Sequence, residues 1–235
     1  MIYAEILASG TGSRMGKTEL PKQFLMLGTK PILIHTVEQF IKNNKIDVVL
    51  ICVSKEWIFY AEDILQKYFK NLENIKIVEG GKTRNETIIN GCNFVQKNYG
   101  LNDEDIILTH DAVRPFISQR IIEENIKEAY KCDAIDTAVP CTDTVIEVQN
   151  KEIINIPVRD FLYAGQTPQT FNIKKLMKYY KELSEEEKSI LSDACKIFVL
   201  KGEKVKVIEG EYINMKITTK TDLILGNAIL KGRNI

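Results

Sequence analysis

Apolar positions along this chain follow two periods in turn. Ile2 to Ala8 is a short, nearly continuous apolar run, and 46–53 is a second, rich in β-branched residues. Runs of this kind predict strands buried on both faces. The spacing then turns helical. Trp57, Tyr60, Ala61, Ile64, Leu65 and Tyr68 recur at helix period, and Ile88, Ile89, Cys92 and Val95 do so within 86–96. Short strands are expected over 75–78 and 104–109. Ser118 is placed to cap a helix that buries Ile121, Ile122, Ile126 and Ala129. This βαβα order predicts an α/β fold, a mostly parallel twisted sheet flanked by helices.

The pattern shifts after residue 134. A strand is expected over 134–140, and 144–148 and 152–156 read as short strands around Gln149-Asn150-Lys151, a projecting hairpin. Such an arm is a candidate dimer contact; a surface hairpin with no partner fits the residues as well. After Phe171 two helices are expected, one opening on the capping-box pattern Ser184 to Glu187. A late strand is expected over 204–209, and Thr219 with Asp222 is placed to cap a last helix through Leu230. With no repeat, low-complexity tract or Pro/Gly-rich linker, the simplest parse is a single domain over 1–235 with the arm at about 141–158.

Composition narrows the function. Lys plus Arg equals Asp plus Glu at 32 each, which argues against a nucleic-acid groove but permits a local cationic pocket. The five cysteines include no C-x-x-C pair, and His35 and His110 lie far from any paired cysteines, so free thiols in a reducing compartment are expected rather than zinc. No apolar run reaches the ~18 residues of a membrane-spanning helix. No basic stretch precedes the first apolar run as in a signal peptide, and a cytoplasmic location is expected.

Candidate chemistry begins where the first strand ends. Ser9-Gly10-Thr11-Gly12-Ser13-Arg14-Met15-Gly16 is followed closely by Pro21-Lys22-Gln23. The register of a P-loop fails whichever glycine starts the count, and Met15 breaks the dinucleotide fingerprint G-x-G-x-x-G. What remains is a glycine-rich turn whose N–H groups can form an anion-binding concavity. Arg14 adds a planar fork of donors and Lys22 a compact charge. A tight turn carrying two solvated cations is the alternative on this segment alone.

Five further segments complete a pattern. They are Gly80 to Thr87 (GGKTRNET), Thr109 to Pro115 (THDAVRP), Arg159 with Gln166 to Phe171 (QTPQTF), Ser192 to Cys195 (SDAC) and Asn214 to Thr218 (NMKIT). Together with Gly10 to Gln23, and in this order over nearly the whole chain, they resemble the cytidylyltransferase family that joins CMP to a polyol phosphate. One branch makes CDP-methylerythritol for isoprenoid synthesis. The other makes CDP-ribitol for teichoic acid or capsule. The stretches from His110, Gly165 and Asp193 look more like the ribitol 5-phosphate branch, while Ser9 and Ser192 depart mildly from the family pattern.

The resemblance implies a Rossmann-like nucleotidyltransferase fold, a Mg²⁺ requirement, CTP and a polyol phosphate as substrates, and a homodimer joined through the arm. It also implies roles. Arg14, Lys22 and Lys216 would surround the reacting phosphates. Leu7, Ala8, Ser9, Gly10, Thr11, Gly12, Gly81, Arg84, Thr87 and Asp111 would bind the nucleotide, Asp111 also offering an oxygen to Mg²⁺. Arg114, Arg159, Thr167 and Asp193 would bind the acceptor, with Arg159 able to reach a second subunit's site. His110 is expected to be a packed histidine rather than a base or ligand. The attacking phosphate is already an anion, so such a reaction needs positioning and charge neutralisation more than a general base. A catalytically silent nucleotide sensor and a nicotinamide-binding oxidoreductase are the competing functions.

Overall fold

The computed structural model describes residues 1–10 and 20–233. The elements run as β1 (Ile2–Leu7), β2 (Met26–Leu27), β3 (Lys30–Pro31), α1 (Ile32–Ile41), β4 (Val48–Val53), α2 (Ile58–Tyr68), β5 (Ile75–Glu79), α3 (Arg84–Tyr99), β6 (Ile106–Asp111) and α4 (Gln119–Ala129). They continue as β7 (Ala134–Pro140), β8 (Glu147–Gln149), β9 (Glu152–Asn155), β10 (Tyr163–Gly165), β11 (Gln169–Asn172), α5 (Ile173–Lys181), α6 (Glu185–Ser189), α7 (Cys195–Leu200), β12 (Lys206–Glu209) and α8 (Lys220–Arg233).

The main sheet has the order β10-β7-β11-β6-β1-β4-β5, with β12 also paired to β7. Strands β6, β1, β4 and β5 are mutually parallel, and β12 is parallel to β7. The expected alternating sheet is present, with β4 buried along its whole length. Two strands were not expected. β11 lies antiparallel between β6 and β7, and β10 lies antiparallel to β7. Tyr163–Gly165 and Gln169–Asn172 are too short and polar to show a period, and they become strands because their neighbours offer ladders. The two helices expected after Phe171 are three, α5, α6 and α7; the capping box at Ser184 starts the short α6. The apolar pattern did not single out α1, whose Ile32, Leu33, Ile34, Val37 and Phe40 are buried.

Core residues fill both faces of the sheet. Ala4, Ile6, Val49 and Ile51 pack with Leu33, Val37, Phe40, Ile121 and Ile122 on one side. Tyr3, Leu50, Cys52, Ile107 and Phe171 pack with Val95, Leu176 and Phe198 on the other. Phe171 and Phe198 stack with centroids 5.5 Å apart.

The chain order of this sheet sets where a ligand can bind. From β1 it moves outward through β4 to β5, then returns to place β6 on the other side of β1. Loops leaving the C-terminal ends of β1 and β6 therefore diverge, and a crevice opens at this switch point. Leu7 and Asp111 are register partners at its mouth.

The arm is the hairpin of β8 and β9. Asn150 and Lys151 at its tip have φ of 53° and 69°, the left-handed pair of a type I′ turn. Val148, Ile153, Ile154, Ile156, Val158 and Phe161 are all more than half exposed along it, an unusual amount of apolar surface for one segment. Among the described residues no helix is long and apolar enough to cross a membrane.

Truncating Phe171 to alanine is expected to lower stability by about 3–5 kcal/mol, because the ring is fully buried and its stacking partner cannot follow it inward. Urea denaturation followed by circular dichroism measures this.

Candidate functional site

Two glycines and a helix cap build one wall of the crevice. Thr83 caps α3 by accepting the Glu86 N–H at 3.1 Å, and the Glu86 carboxylate accepts the Lys82 and Thr83 N–H groups in return. This closes the first turn and orients Arg84 and Thr87. The Thr87 hydroxyl donates to the Thr83 carbonyl at 2.9 Å, accepts the Gly81 N–H at 3.0 Å and touches the Ser9 hydroxyl at 3.0 Å. A Cβ at Gly80 would fall 2.6 Å from Ser9 Cβ, and one at Gly81 would fall 2.4 Å from Glu86 Cβ. Only glycine lets this loop close onto the start of the β1 turn.

That turn is clamped from the other side. The Ala8 N–H continues the sheet by donating to the Cys52 carbonyl at 2.8 Å. The Gln23 amide donates to the carbonyls of Ala8 and Gly10. Pro21 starts the short 3-10 turn Lys22–Phe24, which buries Gln23 and sends Lys22 into the cleft.

Asp111 forms the floor. Its Oδ2 is 2.9 Å from Lys216 Nζ and 3.2 Å from Arg114 Nε, and its Oδ1 is 3.8 Å from Arg84 Nε. Burial alone would raise the Asp111 carboxyl, but Arg84, Lys216 and Arg114 outweigh it and hold the group well below the usual carboxylate range. Lys216 arrives from a loop remote in sequence. That loop is tied down by Ile217 N–H to the Val113 carbonyl at 2.8 Å, Arg114 Nη1 to the Asn214 carbonyl at 2.8 Å, and Asn214 Nδ2 to the Thr167 carbonyl at 2.9 Å.

Beneath Asp111 runs a buried relay. His110 Nε2 faces the Arg114 carbonyl at 3.1 Å, which can only accept, so Nε2 carries the proton. Nδ1 then accepts from the Thr167 hydroxyl at 2.9 Å, and that oxygen accepts the Asp111 N–H at 3.1 Å. Burial pushes the His110 imidazole down to about 4, so it stays neutral and packs against Phe40, as expected.

The resulting cleft has a volume of about 290 Å³. Of the sequence-predicted residues it is lined by Leu7, Ser9, Gly10, Lys22, Gly81, Arg84, Thr87, Asp111 and Lys216. Ala8 lies buried just behind this lining. Thr11, Gly12 and Arg14 lie outside the described residues. The four residues expected to bind the acceptor lie outside this lining. Arg114 and Thr167 are buried under the floor, where their polar groups hold Asp111, and Arg159 is on the return leg of the arm, donating to the Thr142 carbonyl at 3.3 Å. Asp193 lies in a neighbouring cluster with Gln169. Gln23 and Lys82 also line the cleft, although sequence reasoning gave them no role. Their place inside PKQ and GGKT was the available signal.

A mostly parallel sheet with a crevice at its switch point, where a lysine and two arginines surround a buried carboxylate and a second lysine lines the cleft, is the arrangement of a Rossmann-like nucleotidyltransferase. Within that class the chain belongs to the IspD family of cytidylyltransferases: the family model for 2-C-methyl-D-erythritol 4-phosphate cytidylyltransferase matches residues 2–232. A ribitol-5-phosphate cytidylyltransferase of Lactiplantibacillus plantarum is 48% identical over 234 residues, the full length of both chains. The structure of 4-diphosphocytidyl-2C-methyl-D-erythritol synthase from Anaerococcus prevotii is 31% identical, with a TM-score of 0.79 over 98% of this chain and 96% of that one. The 2-C-methyl-D-erythritol 4-phosphate cytidylyltransferase of Francisella tularensis is 27% identical, with a TM-score of 0.81 over 97% and 98%.

Glu5 in β1 yields a prediction. It is fully buried against Gly91 and accepts from the Cys52 thiol at 3.1 Å. Burial raises its carboxyl to about 8, only partly opposed by Cys52 and Arg84. A folded-state value above the unfolded one means that its contribution is complete below the ordinary carboxylate range and is lost as pH rises towards 8, at about 1.4 kcal/mol per pH unit. Glu5→Gln removes this slope. The variant is therefore expected to gain stability relative to the parent between about pH 5 and pH 8, read by urea denaturation at both.

Proposed function

We propose that this chain transfers CMP from CTP to D-ribitol 5-phosphate, giving CDP-ribitol and pyrophosphate. The observation that carries the chemistry is the convergence of Lys22, Arg84 and Lys216 on one cleft above Asp111. The acceptor is read from the full-length relative at 48% identity, whose name specifies ribitol 5-phosphate. CDP-ribitol made in the cytoplasm would serve as a teichoic acid or capsule precursor.

In this reading a phosphate oxygen of the acceptor attacks the α-phosphorus of CTP, and pyrophosphate leaves in line. The nucleophile needs no base, which agrees with a cleft lined by no histidine and with His110 neutral and buried beneath it. Lys22 and Lys216 gather negative charge as it builds on the equatorial oxygens. By the family motif, Arg14 would act with them. Backbone N–H groups of Ser9 and Gly10 cradle the triphosphate, and Gly81, Arg84 and Thr87 hold the nucleoside side. The donor set also fits Mg²⁺. Asp111 Oδ1 is a hard oxygen whose one ion-pair contact among the described residues is Arg84 at 3.8 Å, so Asp111 would hold the ion alongside substrate phosphates. Bound there, the ion would neutralise triphosphate charge.

The 1–235 chain works as one catalytic domain whose arm pairs with a second copy. Two features support this: the exposed apolar face of β8, β9 and the return leg, and the position of Arg159 away from its own cleft. Arg159 then reaches the partner's acceptor phosphate.

Pyrophosphate release from CTP and Mg²⁺, with ribitol 5-phosphate and methylerythritol 4-phosphate in parallel, tests the reading; equal or better turnover of methylerythritol 4-phosphate overturns the acceptor. Lys22→Ala and Lys216→Ala are each expected to lower kcat by roughly 10²–10³ with the fold intact. Unchanged pyrophosphate release in both would return the chain to a nucleotide-binding module.

A further inference from the structure

A second polar cluster adjoins the cation cleft on its β11–β7 side. A carboxylate oxygen of Asp136 in β7, one of Asp193 before α7, and the Cys195 sulfur all lie within 4.8 Å of one another. Gln169, at the start of β11 and fully buried, donates its amide to both carboxylates, at 3.0 Å to Asp136 Oδ1 and also to Asp193 Oδ2. Two acceptor-only neighbours fix the orientation of that amide. Gln169 Oε1 is consequently turned away, buried and without a partner among the described residues. The amide nitrogen occupies the place a cation would take between the carboxylates, and burial keeps Cys195 a thiol.

Two links join this cluster to the cleft. Gly165 lies over Asp136, so that even an added Cβ would remain 3.9 Å from Asp136 Oδ2, and the Gly165 carbonyl accepts from Arg114, the same arginine that holds Asp111. Arg84, paired with Asp111, is close enough to act on Asp136 and Cys195 as well. Its Nη1 is buried with no partner among the described residues. The cation cleft of Lys22 and Lys216 and the acidic cluster of Asp136 and Asp193 are thus neighbours joined through Arg84 and Arg114.

We propose that Asp136, held beside Asp193 by Gln169, is a specificity-determining residue that accepts hydrogen bonds from hydroxyl groups of the polyol phosphate acceptor. This rests on the cytidylyl-transfer reading and deepens it. A carboxylate accepts from O–H donors and repels phosphate, whereas the cations do the reverse. An acceptor carrying phosphate at one end and hydroxyls along its chain is therefore oriented with its phosphate towards the α-phosphorus. An analogue lacking one hydroxyl leaves a buried acceptor unmet, which is the strong form of substrate discrimination.

The test is steady-state kinetics of the full chain with ribitol 5-phosphate, with deoxy analogues lacking one hydroxyl, and with CTP. Asp136→Asn and Asp136→Ala are expected to raise the acceptor KM by roughly one to two orders of magnitude and to reduce discrimination against the deoxy analogues, leaving the CTP KM near that of the parent. Should neither Asp136 variant fold, by circular dichroism and melting temperature, Gln169→Glu is read by the same two quantities. Folded variants with unchanged acceptor KM and unchanged discrimination overturn the proposal. So does a shift confined to the Mg²⁺ activation constant, which would make the cluster a cation site. If the parent protein turns over a different polyol phosphate, the assigned acceptor falls, and the same ratio measured with that acceptor decides the role of Asp136 independently.

Discussion

Asp111 is a buried carboxylate on which three cations from three separate elements depend. Arg84 starts α3, Arg114 follows β6, and Lys216 lies in the loop before α8. Brought together without an anion, these groups would repel one another in a partly desolvated space. Asp111 offsets that repulsion and is itself kept ionised by it, against the pull of its own burial. One carboxylate does not balance three cations, and the cluster keeps a net positive charge towards the cleft. In the proposed reaction a polyphosphate would meet that surplus where β1 and β6 diverge.

The surrounding structure serves to hold this arrangement still. Arg114 is committed to the Asn214 and Gly165 carbonyls as well as to Asp111, so it fastens the Lys216 loop and the β10 end to β6. Thr167 and His110 stiffen the floor from below through hydrogen bonds that leave the imidazole uncharged. Gln23 and Thr87 do the same for the two loops that flank the phosphate side. In the proposed reaction catalysis would come from preorganised charge, held in place by these hydrogen bonds.

Much of this was legible in the chain. β1, β4, β6 and α3 announce themselves through apolar period, and the capping residues Ser118 and Ser184 behave as their side chains dictate. Short motifs marked Lys22, Arg84, Asp111 and Lys216, all of which meet in the cleft. The strands β10 and β11 were invisible because runs of three and four residues, most of them small or polar, acquire a strand's geometry only when a neighbouring ladder exists. Motifs also marked Arg114 and Thr167, which the structure places beside Asp111 and outside the cleft lining.

By itself the sequence determined the local events: which stretches bury both faces, where helices begin, and which loop must be glycine to let backbone meet backbone. These depend on neighbours a few residues away. Tertiary structure alone decided that Lys216 would stand 2.9 Å from a carboxylate 105 positions earlier, and that Gln169 would bridge Asp136 and Asp193. Those distances arise from the order in which strands join the sheet and from buried carbonyls that must find donors, and neither is written in any one segment.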